Sequence, residues 1–428
     1  MTSMEANHRR SAAITLPQLG YDVLLQILTR LSPVALGRLA QTCQEMSGLT
    51  RDETLWMRLC EADFRVMPSQ TFRNFGWKTL YSRLAHPAVF TWGESQSGVR
   101  AGPINVPGRV ATLNHSGISQ ICCLGWSMLA LSRDGRAYLW GTLNPEGGWD
   151  SDGSWNGRST RPFPFPTEVD TGLQFPGDRI AQIAGSRGFG VLRMDSGNVL
   201  ALTEMESAKG LKVLSQQHTT ELGRVTRVAA GWTHALALTD RNKILEWHAG
   251  RNYSFDLKVN DDHDWVGVAG GEGFTVGLTR AGDVYKWQDG HDSRPVLDTE
   301  ISGRGYTHIS AAFRHHALFR RGKKGDPSKV SVFSTAEGKY SPVSLPDDAP
   351  AGDQIVEISF GDWHAAILTQ QGHVYTWGGD GGGQLGQGTH RQNVLSPKLV
   401  EQLRDDGWFV FQIACGGWHT ACLAVRLQ

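Results

Sequence analysis

Histidines recur along this chain in a setting that first suggests metal binding or catalysis. His234, His364 and His419 each follow a glycine-bearing turn and open a short apolar run. Imidazole is a common zinc ligand and general base. Three of the seven positions that align on these turns hold Met or Phe instead, so we interpret the position as one of packing or hydrogen bonding within a repeat. The seven positions are Met128, Phe189, His234, Phe274, His315, His364 and His419.

Other motifs for chemistry are incomplete. The adjacent pair His315 and His316 lacks a third metal ligand at a recognisable spacing. The run 270–273 is glycine-rich, but the Lys and Ser/Thr of a phosphate-binding loop do not follow it. The six cysteines include no Cys-x-x-Cys pair, which disfavours both a zinc motif and a disulfide framework. We predict no catalytic residues, no metal, no cofactor and no enzymatic activity.

Charge and composition narrow the possible partners. Lys plus Arg equals Asp plus Glu at 42 each, so no net field attracts nucleic acid or an anionic membrane. The first ten residues have no apolar core of a signal peptide, and no run of 18 apolar residues exists. We therefore expect no nucleic-acid or membrane partner and a location in the cytoplasm, the nucleus or both.

Residues 16 to about 84 have helical periodicity. Ser32-Pro33 and Asp52-Glu53 are helix-start signals, each followed by apolar residues. Helices this short bury little surface against one another, so a partner is expected to cover what remains apolar. One stripe, spaced i, i+3, i+4 and i+7, consists of Leu24, Ile27, Leu28 and Leu31.

This segment resembles an F-box. The likeness covers residues 16–60, with Gly20-Tyr21 standing where an acidic residue is frequent. It implies docking on the Skp adaptor and, through it, association with the cullin and RING subunits of a ubiquitin ligase. The alternative is a plain helical cap on the neighbouring domain. The residues implied in Skp-adaptor binding are Leu16, Pro17, Leu24, Ile27, Leu28, Leu31, Pro33, Leu36, Leu39, Leu55 and Trp56.

We divide the chain into four parts. Residues 1–15 are predicted to be a disordered N-terminus, 16–62 the F-box, 63–86 a helical connector and 87–428 a repeat domain. Few glycines and no Ser/Gly run occur in 63–86, which indicates a stiff connection rather than a flexible linker. The connector could equally serve to complete the packing of the first domain.

A repeat fills the rest of the chain. In most copies 13 residues separate the aligned position from a bulky residue, as from His364 to Trp377. The first bulky position has no aligned turn before it and the last turn has no bulky position after it, so pairing the two ends gives seven complete units. The bulky positions are Trp92, Trp140, Leu202, Trp247, Trp287, Phe333 and Trp377.

These units resemble repeats of the regulator of chromosome condensation family. The best-matched copy has Trp377-Gly378 followed by Gly383-Gln384-Leu385-Gly386, whereas the middle copies lose the second motif. No Trp-Asp dipeptide ends a strand at the repeat position, which disfavours a WD-type propeller. The predicted fold is mainly β, a seven-bladed β-propeller preceded by a small all-α F-box domain.

The loops in which the repeats differ are the candidates for substrate recognition. Residues 144–167 form the longest insertion, and 320–327 include a basic run. Aromatic residues on long loops are frequent in binding surfaces. The first loop could equally fold over a blade edge, and the second could be a solvated tip or a nuclear signal. The candidate residues are Trp149, Trp155, Arg161, Phe163, Phe165, Arg321, Lys323 and Lys324.

The two resemblances together predict a substrate receptor. The combination is similar to fungal SCF-associated factors and implies that the propeller binds a protein to be ubiquitinated and degraded by the proteasome. The alternative is nucleotide exchange on a small GTPase with chromatin binding, against which stand the absence of a basic N-terminal tail and the zero net charge. A scaffold with no link to a ligase is a third possibility.

Overall fold

The computed structural model describes residues 19–64, 76–94, 104–141, 143, 163–171, 177–203, 211–215, 221–249, 254–260, 262–288, 293–322, 327–335, 337–389 and 392–427. The predicted disorder of residues 1–15 lies outside this part. The chain divides into two compact units, one of Met1–Pro68 with Phe72–Ser82 and the other of Ser69–Thr71 with Arg83–Gln428. We call the first the helical unit. The boundaries 16–62, 63–86 and 87–428 stay predictions.

Short helices start where their capping residues predict. The Ser32 side chain accepts a hydrogen bond from the Ala35 amide at 3.2 Å, and the Asp52 carboxylate accepts one from the Thr54 amide at 2.7 Å. These bonds satisfy amide groups that a first helical turn leaves unpaired. The helices are α1 (Tyr21–Leu28), α2 (Pro33–Leu39), α3 (Gln44–Leu49), α4 (Glu53–Phe64) and α5 (Trp77–Leu84).

The second unit contains seven four-stranded antiparallel sheets, which confirms the predicted seven-bladed propeller. Blade 1 comprises β1 (Ala88–Gly93), β2 (Gly108–Arg109), β27 (Trp408–Gly416) and β28 (His419–Arg426). Blade 2 has β3 (Ile118–Cys123), β4 (Ser127–Ser132), β5 (Ala137–Gly141) and β6 (Phe163–Glu168); blade 3 has β7 (Ile180–Gly185), β8 (Gly190–Met194), β9 (Val199–Leu202) and β10 (Leu211–Ser215). Blade 4 has β11 (Val225–Ala230), β12 (His234–Thr239), β13 (Ile244–Ala249) and β14 (Phe255–Asn260); blade 5 has β15 (Trp265–Gly270), β16 (Phe274–Thr279), β17 (Val284–Gln288) and β18 (Val296–Leu297). Blade 6 has β19 (His308–Ala312), β20 (His315–Arg320), β21 (Lys329–Ser334) and β22 (Lys339–Pro342); blade 7 has β23 (Ile355–Phe360), β24 (His364–Thr369), β25 (Val374–Gly378) and β26 (Val394–Leu399), after which α6 (Glu401–Asp405) leads to β27.

The innermost strands close a ring around a channel. Each contacts the innermost strand of the next blade, in the order β3, β7, β11, β15, β19, β23, β27 and back to β3. Blade 1 is built from both ends of the ring, because β1 pairs with β28 from Ala88 opposite Ala424 to Gly93 opposite His419. This pairing covers edges that would otherwise be exposed.

The strand register corrects one repeat position. The residue after each aligned position lies opposite the bulky residue, as Ala365 does with Trp377. In blade 2 it is Met128 that lies opposite Trp140, so Ser127 takes the aligned position. The assignment of Met128 was wrong by one residue. Periodicity alone favoured the methionine because the blade uses a small residue where others use His or Phe.

The aligned histidines connect neighbouring blades. His234 Nε2 lies 3.0 Å from the Thr275 hydroxyl of blade 5, and His364 Nε2 lies 2.8 Å from the Thr420 hydroxyl of blade 1. The prediction of hydrogen bonding within one repeat was therefore wrong for these two, because the second strands begin where blades converge on the channel. Burial lowers the pKa of His364 to about 3, so its imidazole is neutral at pH 7.

The Trp-Gly endings of the repeats have a steric cause. Gly378 has a φ of 108°, and a Cβ atom there would lie 2.4 Å from the carbonyl oxygen of Trp363. Gly93 has the same environment, with a φ of 92° and a Cβ position 2.4 Å from the carbonyl oxygen of Trp418. Only glycine allows both this backbone conformation and this close approach.

A buried carboxylate ties blade 4 to blade 5. Glu246 is 0% exposed and accepts hydrogen bonds from the Thr275 hydroxyl at 2.9 Å and from the Trp287 indole at 3.0 Å. Both donors belong to blade 5. A buried charged group is tolerated when hydrogen bonds replace its lost hydration, and here those bonds cross the blade boundary.

Candidate functional site

The helical unit exposes apolar side chains at the start of two helices. Tyr21 and Val23 in the first turn of α1 are 45% and 47% exposed, and Val34 in the first turn of α2 is 66% exposed. Tyr21 donates its hydroxyl to the Asp52 carboxylate at 2.7 Å, which orients its ring beside the start of α4. Donating this bond is the main reason that the pKa of Tyr21 rises above its usual value. We call these three residues the apolar patch of the helical unit.

The structure describes nine of the eleven residues expected to dock the Skp adaptor, all of them in the helical unit. Leu16 and Pro17 fall outside the described residues. Ile27, Leu31 and Leu39 are half-buried and Pro33 is exposed. Because the remaining side chains are at most 5% exposed, they form the core of the unit, and their assignment as adaptor contacts stays a prediction. These buried residues are Leu24, Leu28, Leu36, Leu55 and Trp56.

Trp56 shows how that core is organised. Its indole nitrogen donates to the carbonyl of Thr50 at 2.8 Å, and its ring meets that of Tyr81 edge-on with centroids 5.1 Å apart. Tyr81 also contacts Phe64 edge-on at 5.3 Å. The aromatic residues of α4 and α5 therefore fix both helices through packing, while α1 and α2 present the apolar patch.

Aromatic side chains surround one mouth of the propeller channel. They belong to the turns between the first and second strands of blades 2, 4, 6, 7 and, in blade 1, between β27 and β28. Trp363 is 55% exposed, whereas Phe313 is 9% exposed and the others are half-buried. We call the group the aromatic collar, and its members are Trp126, Trp232, Phe313, Trp363 and Trp418.

Ring contacts hold the collar together, and one of its members has a strained backbone. Phe313 touches Trp232 and Trp363, with centroids 5.1 and 5.3 Å apart, and Trp126 lies 6.3 Å from Trp418. Phe313 has a φ of 48°, a left-handed conformation that is rare for a bulky residue. Such conformations persist where the surroundings impose them and cluster at functional sites.

An ion pair spans the channel inside the collar. Arg187 of blade 3 donates to the Asp362 carboxylate of blade 7, and both side chains are largely buried. The Arg187 guanidinium lies 4.1 Å from the ring centroid of Trp232 and 5.4 Å from that of Trp126, within the range of cation–π attraction. Below it the channel contains a cavity of about 240 Å³. The mouth is therefore lined by aromatic and charged groups.

Of the substrate residues predicted from the sequence, the three that the structure describes lie outside the collar. Trp149, Trp155, Arg161, Lys323 and Lys324 fall outside the described residues. Phe163 and Phe165 are on β6, the outermost strand of blade 2, where Phe165 is 57% exposed. Arg321 is half-buried and donates to the carbonyl of Val356 in blade 7 at 3.1 Å. Their role in substrate binding stays a prediction, and the structure does not bring Phe165 and Arg321 together in one site.

Sequence reasoning missed the collar, although a signal existed. A tryptophan stands one residue before His364 and His419 and two before His234. The aligned histidine drew attention because it opens a buried strand. The tryptophan just before it lies in the turn and was treated as an ordinary turn residue. Repetition of a large aromatic beside a turn, rather than within a strand, was the pattern to follow.

Two protein families match parts of the chain. The family described as F-box-like matches residues 16–62. The family described as regulator of chromosome condensation (RCC1) repeat matches residues 371–423, and a second description of that repeat matches 355–384. The matches therefore place an F-box-like segment before RCC1 repeats. The F-box-like match falls on the helical unit and the RCC1 matches fall on blades 7 and 1.

Three proteins are similar to this chain over most of its length. The F-box protein pof9 of Schizosaccharomyces pombe is 21% identical, over 95% of this chain and 90% of its own length. The human E3 ubiquitin-protein ligase HERC2 is 25% identical over 78% of this chain, which spans only 8% of that protein. The crystal structure of Prp20p from Saccharomyces cerevisiae has a TM-score of 0.62 at 16% identity, over 80% of this chain and 92% of that one, and so shares the propeller fold.

Metal sites and membrane spans are two other features that a chain of this size could carry. In the described part of the chain, no three His, Cys, Asp or Glu side chains are grouped as a metal site would require. Within the same part, every helix is too short or too polar to span a bilayer. The apolar patch and the aromatic collar are the two candidate functional surfaces of the described residues.

Proposed function

We propose that this chain is the substrate-recognition subunit of an SCF ubiquitin ligase. The F-box-like segment docks on the Skp adaptor and thereby joins the cullin and RING subunits, and the propeller binds the protein to be ubiquitinated. In this role the chain is a non-catalytic adaptor. The observation that carries the proposal is the apolar patch of Tyr21, Val23 and Val34 on a segment that matches the F-box-like family.

The patch fits a protein partner for physical reasons. Valine and tyrosine side chains left in water lose the free energy that their burial would contribute, about 25 cal/mol per Å² of apolar surface. The leucines of α1 and α2 already fill the core of the unit, so no inward rotation can bury the patch as well. A partner with an apolar groove satisfies this surface.

The collar suits the second role in the proposal. Tryptophan, tyrosine and arginine dominate the binding energy of protein interfaces. Four tryptophans around one mouth, with Arg187 between two of them, give a rigid aromatic surface with fixed charge. Trp363 is its most exposed member and is our candidate for the central substrate contact.

Co-purification with a Skp adaptor tests the docking role. We expect wild type to form a complex that Val23→Asp/Val34→Asp loses, with at least about a tenfold weaker Kd because two buried apolar contacts become charged. Glu61→Arg, an exposed change on α4, is the matched control and should bind normally. Leu28 is unsuitable because it is 1% exposed and a charge there disrupts the core. Failure of wild type to bind would contradict the receptor role.

Nucleotide exchange on a small GTPase is the alternative function. Prp20p is described as binding Gsp1p and histones, and that protein shares only the fold with this chain. A GDP-release assay separates the two possibilities. Under the receptor proposal this chain leaves the release rate unchanged, and we propose that it acts in the cytoplasm, the nucleus or both, which fluorescent tagging can test.

A further inference from the structure

A groove separates blades 6 and 7 on the face that carries the collar. Its volume is about 770 Å³, within the roughly 300–1,000 Å³ of typical ligand sites. Trp363 of the collar lines it, as do Trp377 in β25 and the start of β26. The opposite wall is the end of β22 and the segment 343–347. The groove thus extends the collar outward between two blades.

The groove exposes large apolar side chains. Leu395 on β26 is 96% exposed, the highest value for a large apolar residue among those the structure describes, and Trp363 is 55% exposed. Val343 and Leu345 on the opposite wall are half-buried. Contiguous exposed apolar surface with a polar rim marks an interaction site.

The rim strands argue against recognition by strand addition. β22 and β26 are the outermost strands of their blades, and each contains a proline, Pro342 and Pro397. Proline has no amide hydrogen and interrupts the ladder that an added strand would need. A segment lying in this groove must be recognised through its side chains.

The charges of the lining select the partner. Glu337 and Asp347 line the groove, and its lining includes neither lysine nor arginine. Lys339 lies 3.5 Å from Glu337, but both side chains are more than half exposed, so the pair contributes little. Burial lowers the pKa of both histidines of the lining, His315 and His364, so neither imidazole supplies a positive charge at pH 7. Complementarity therefore favours a cationic ligand.

We propose that this groove binds an extended segment of the protein substrate in which a large apolar side chain is flanked by lysine or arginine. The apolar side chain packs against Leu395 and Trp363, and the cation faces Glu337 and Asp347. This inference rests on the proposed receptor function, because it names the class of substrate for the same face. It requires no strand pairing.

Fluorescence anisotropy with labelled peptides tests the groove on the full chain. The probe is Gly-Ser-Lys-Leu-Trp-Lys-Ser-Gly, compared with the same peptide carrying Glu for both Lys and with one carrying Ser for Leu and Trp. We expect the first to bind at least about tenfold more tightly than either of the others. Leu395→Ser should weaken its binding about tenfold, whereas Leu257→Ser, another exposed leucine on an outermost strand, should not.

Charge reversal gives the decisive readout. Glu337→Lys/Asp347→Lys should invert the preference, so that the Glu peptide binds more tightly than the Lys peptide. Equal binding of both peptides to wild type, no effect of Leu395→Ser, or no binding of any peptide below about 1 mM would overturn the proposal. Retained Skp-adaptor binding in that case refutes the groove alone, whereas loss of adaptor binding by wild type refutes the receptor function itself.

Discussion

Arg187 and Asp362 form an ion pair across the propeller channel, although 175 residues separate them in the chain. Burial raises the pKa of the Asp362 carboxyl, and the attraction of Arg187 only partly opposes this rise. Desolvation of the pair is thus a real cost. The ion pair links blades 3 and 7 at the collar and holds the Arg187 guanidinium between two tryptophans.

Breaking this pair from one side should be more harmful than removing it. Arg187→Leu and Asp362→Leu should each lower the free energy of unfolding by about 2–4 kcal/mol, because each leaves a largely buried charge without its partner. The double variant should lose less than the sum of the two. Urea denaturation of all four proteins measures the coupling, and additivity within about 0.5 kcal/mol would show that the residues act independently.

The buried imidazole of His364 should make the propeller sensitive to acid. Its folded-state pKa of about 3 lies below the unfolded value of 6.5, so the unfolded state binds the proton first and stability is lost as the pH falls from 6.5 toward 3. Between pH 7 and pH 5 this amounts to about 2 kcal/mol. His364→Phe, which copies Phe274 of blade 5, should remove this part of the pH dependence of the unfolding midpoint.

The exposed His86 supplies the control for that measurement. His86→Phe introduces the same side chain at an exposed position and is measured beside His364→Phe. A His364→Phe protein whose stability still falls as steeply as wild type between pH 7 and pH 5 would show that His364 does not carry this acid sensitivity.

Adjacent glycines allow a matched test of the Trp-Gly ending. Gly378→Ala should lower stability by about 2 kcal/mol or more, because the alanine must adopt a positive φ and its Cβ meets the Trp363 carbonyl. At Gly379 the nearest atom to a new Cβ is 3.4 Å away, so Gly379→Ala should cost less than about 1 kcal/mol. Equal thermal midpoints for the two variants would refute the steric explanation.

Removal of the Glu246 carboxylate should weaken the contact between blades 4 and 5. Glu246→Ala leaves the buried Trp287 indole and Thr275 hydroxyl without this acceptor and should cost about 2–4 kcal/mol. Glu246→Gln retains one acceptor oxygen and should cost less. The exposed change Glu221→Ala is the control, and denaturation followed by circular dichroism provides the values.

Local sequence determined much of the fold but little of the candidate site. A fixed spacing from His364 to Trp377 predicted the blades because both lie in one hairpin. The contact of His364 with Thr420 could not be predicted, since it depends on how blades 7 and 1 are placed relative to each other around the channel. The same holds for Arg187 and Asp362, whose meeting requires a closed ring. Val34 is exposed and Leu36 is buried, although both are hydrophobic. This difference is likewise set by how the helices pack.

The pairing of β1 with β28 has a consequence for synthesis in the cell. Translation at about 5–20 residues per second places roughly 15 to 65 s between the emergence of the two strands from the ribosome. Throughout that interval β1 has an unpaired side that another nascent chain can occupy. Ring closure is thus a late, long-range step, and the yield of correctly folded protein should depend on chaperones that protect this strand until its partner arrives.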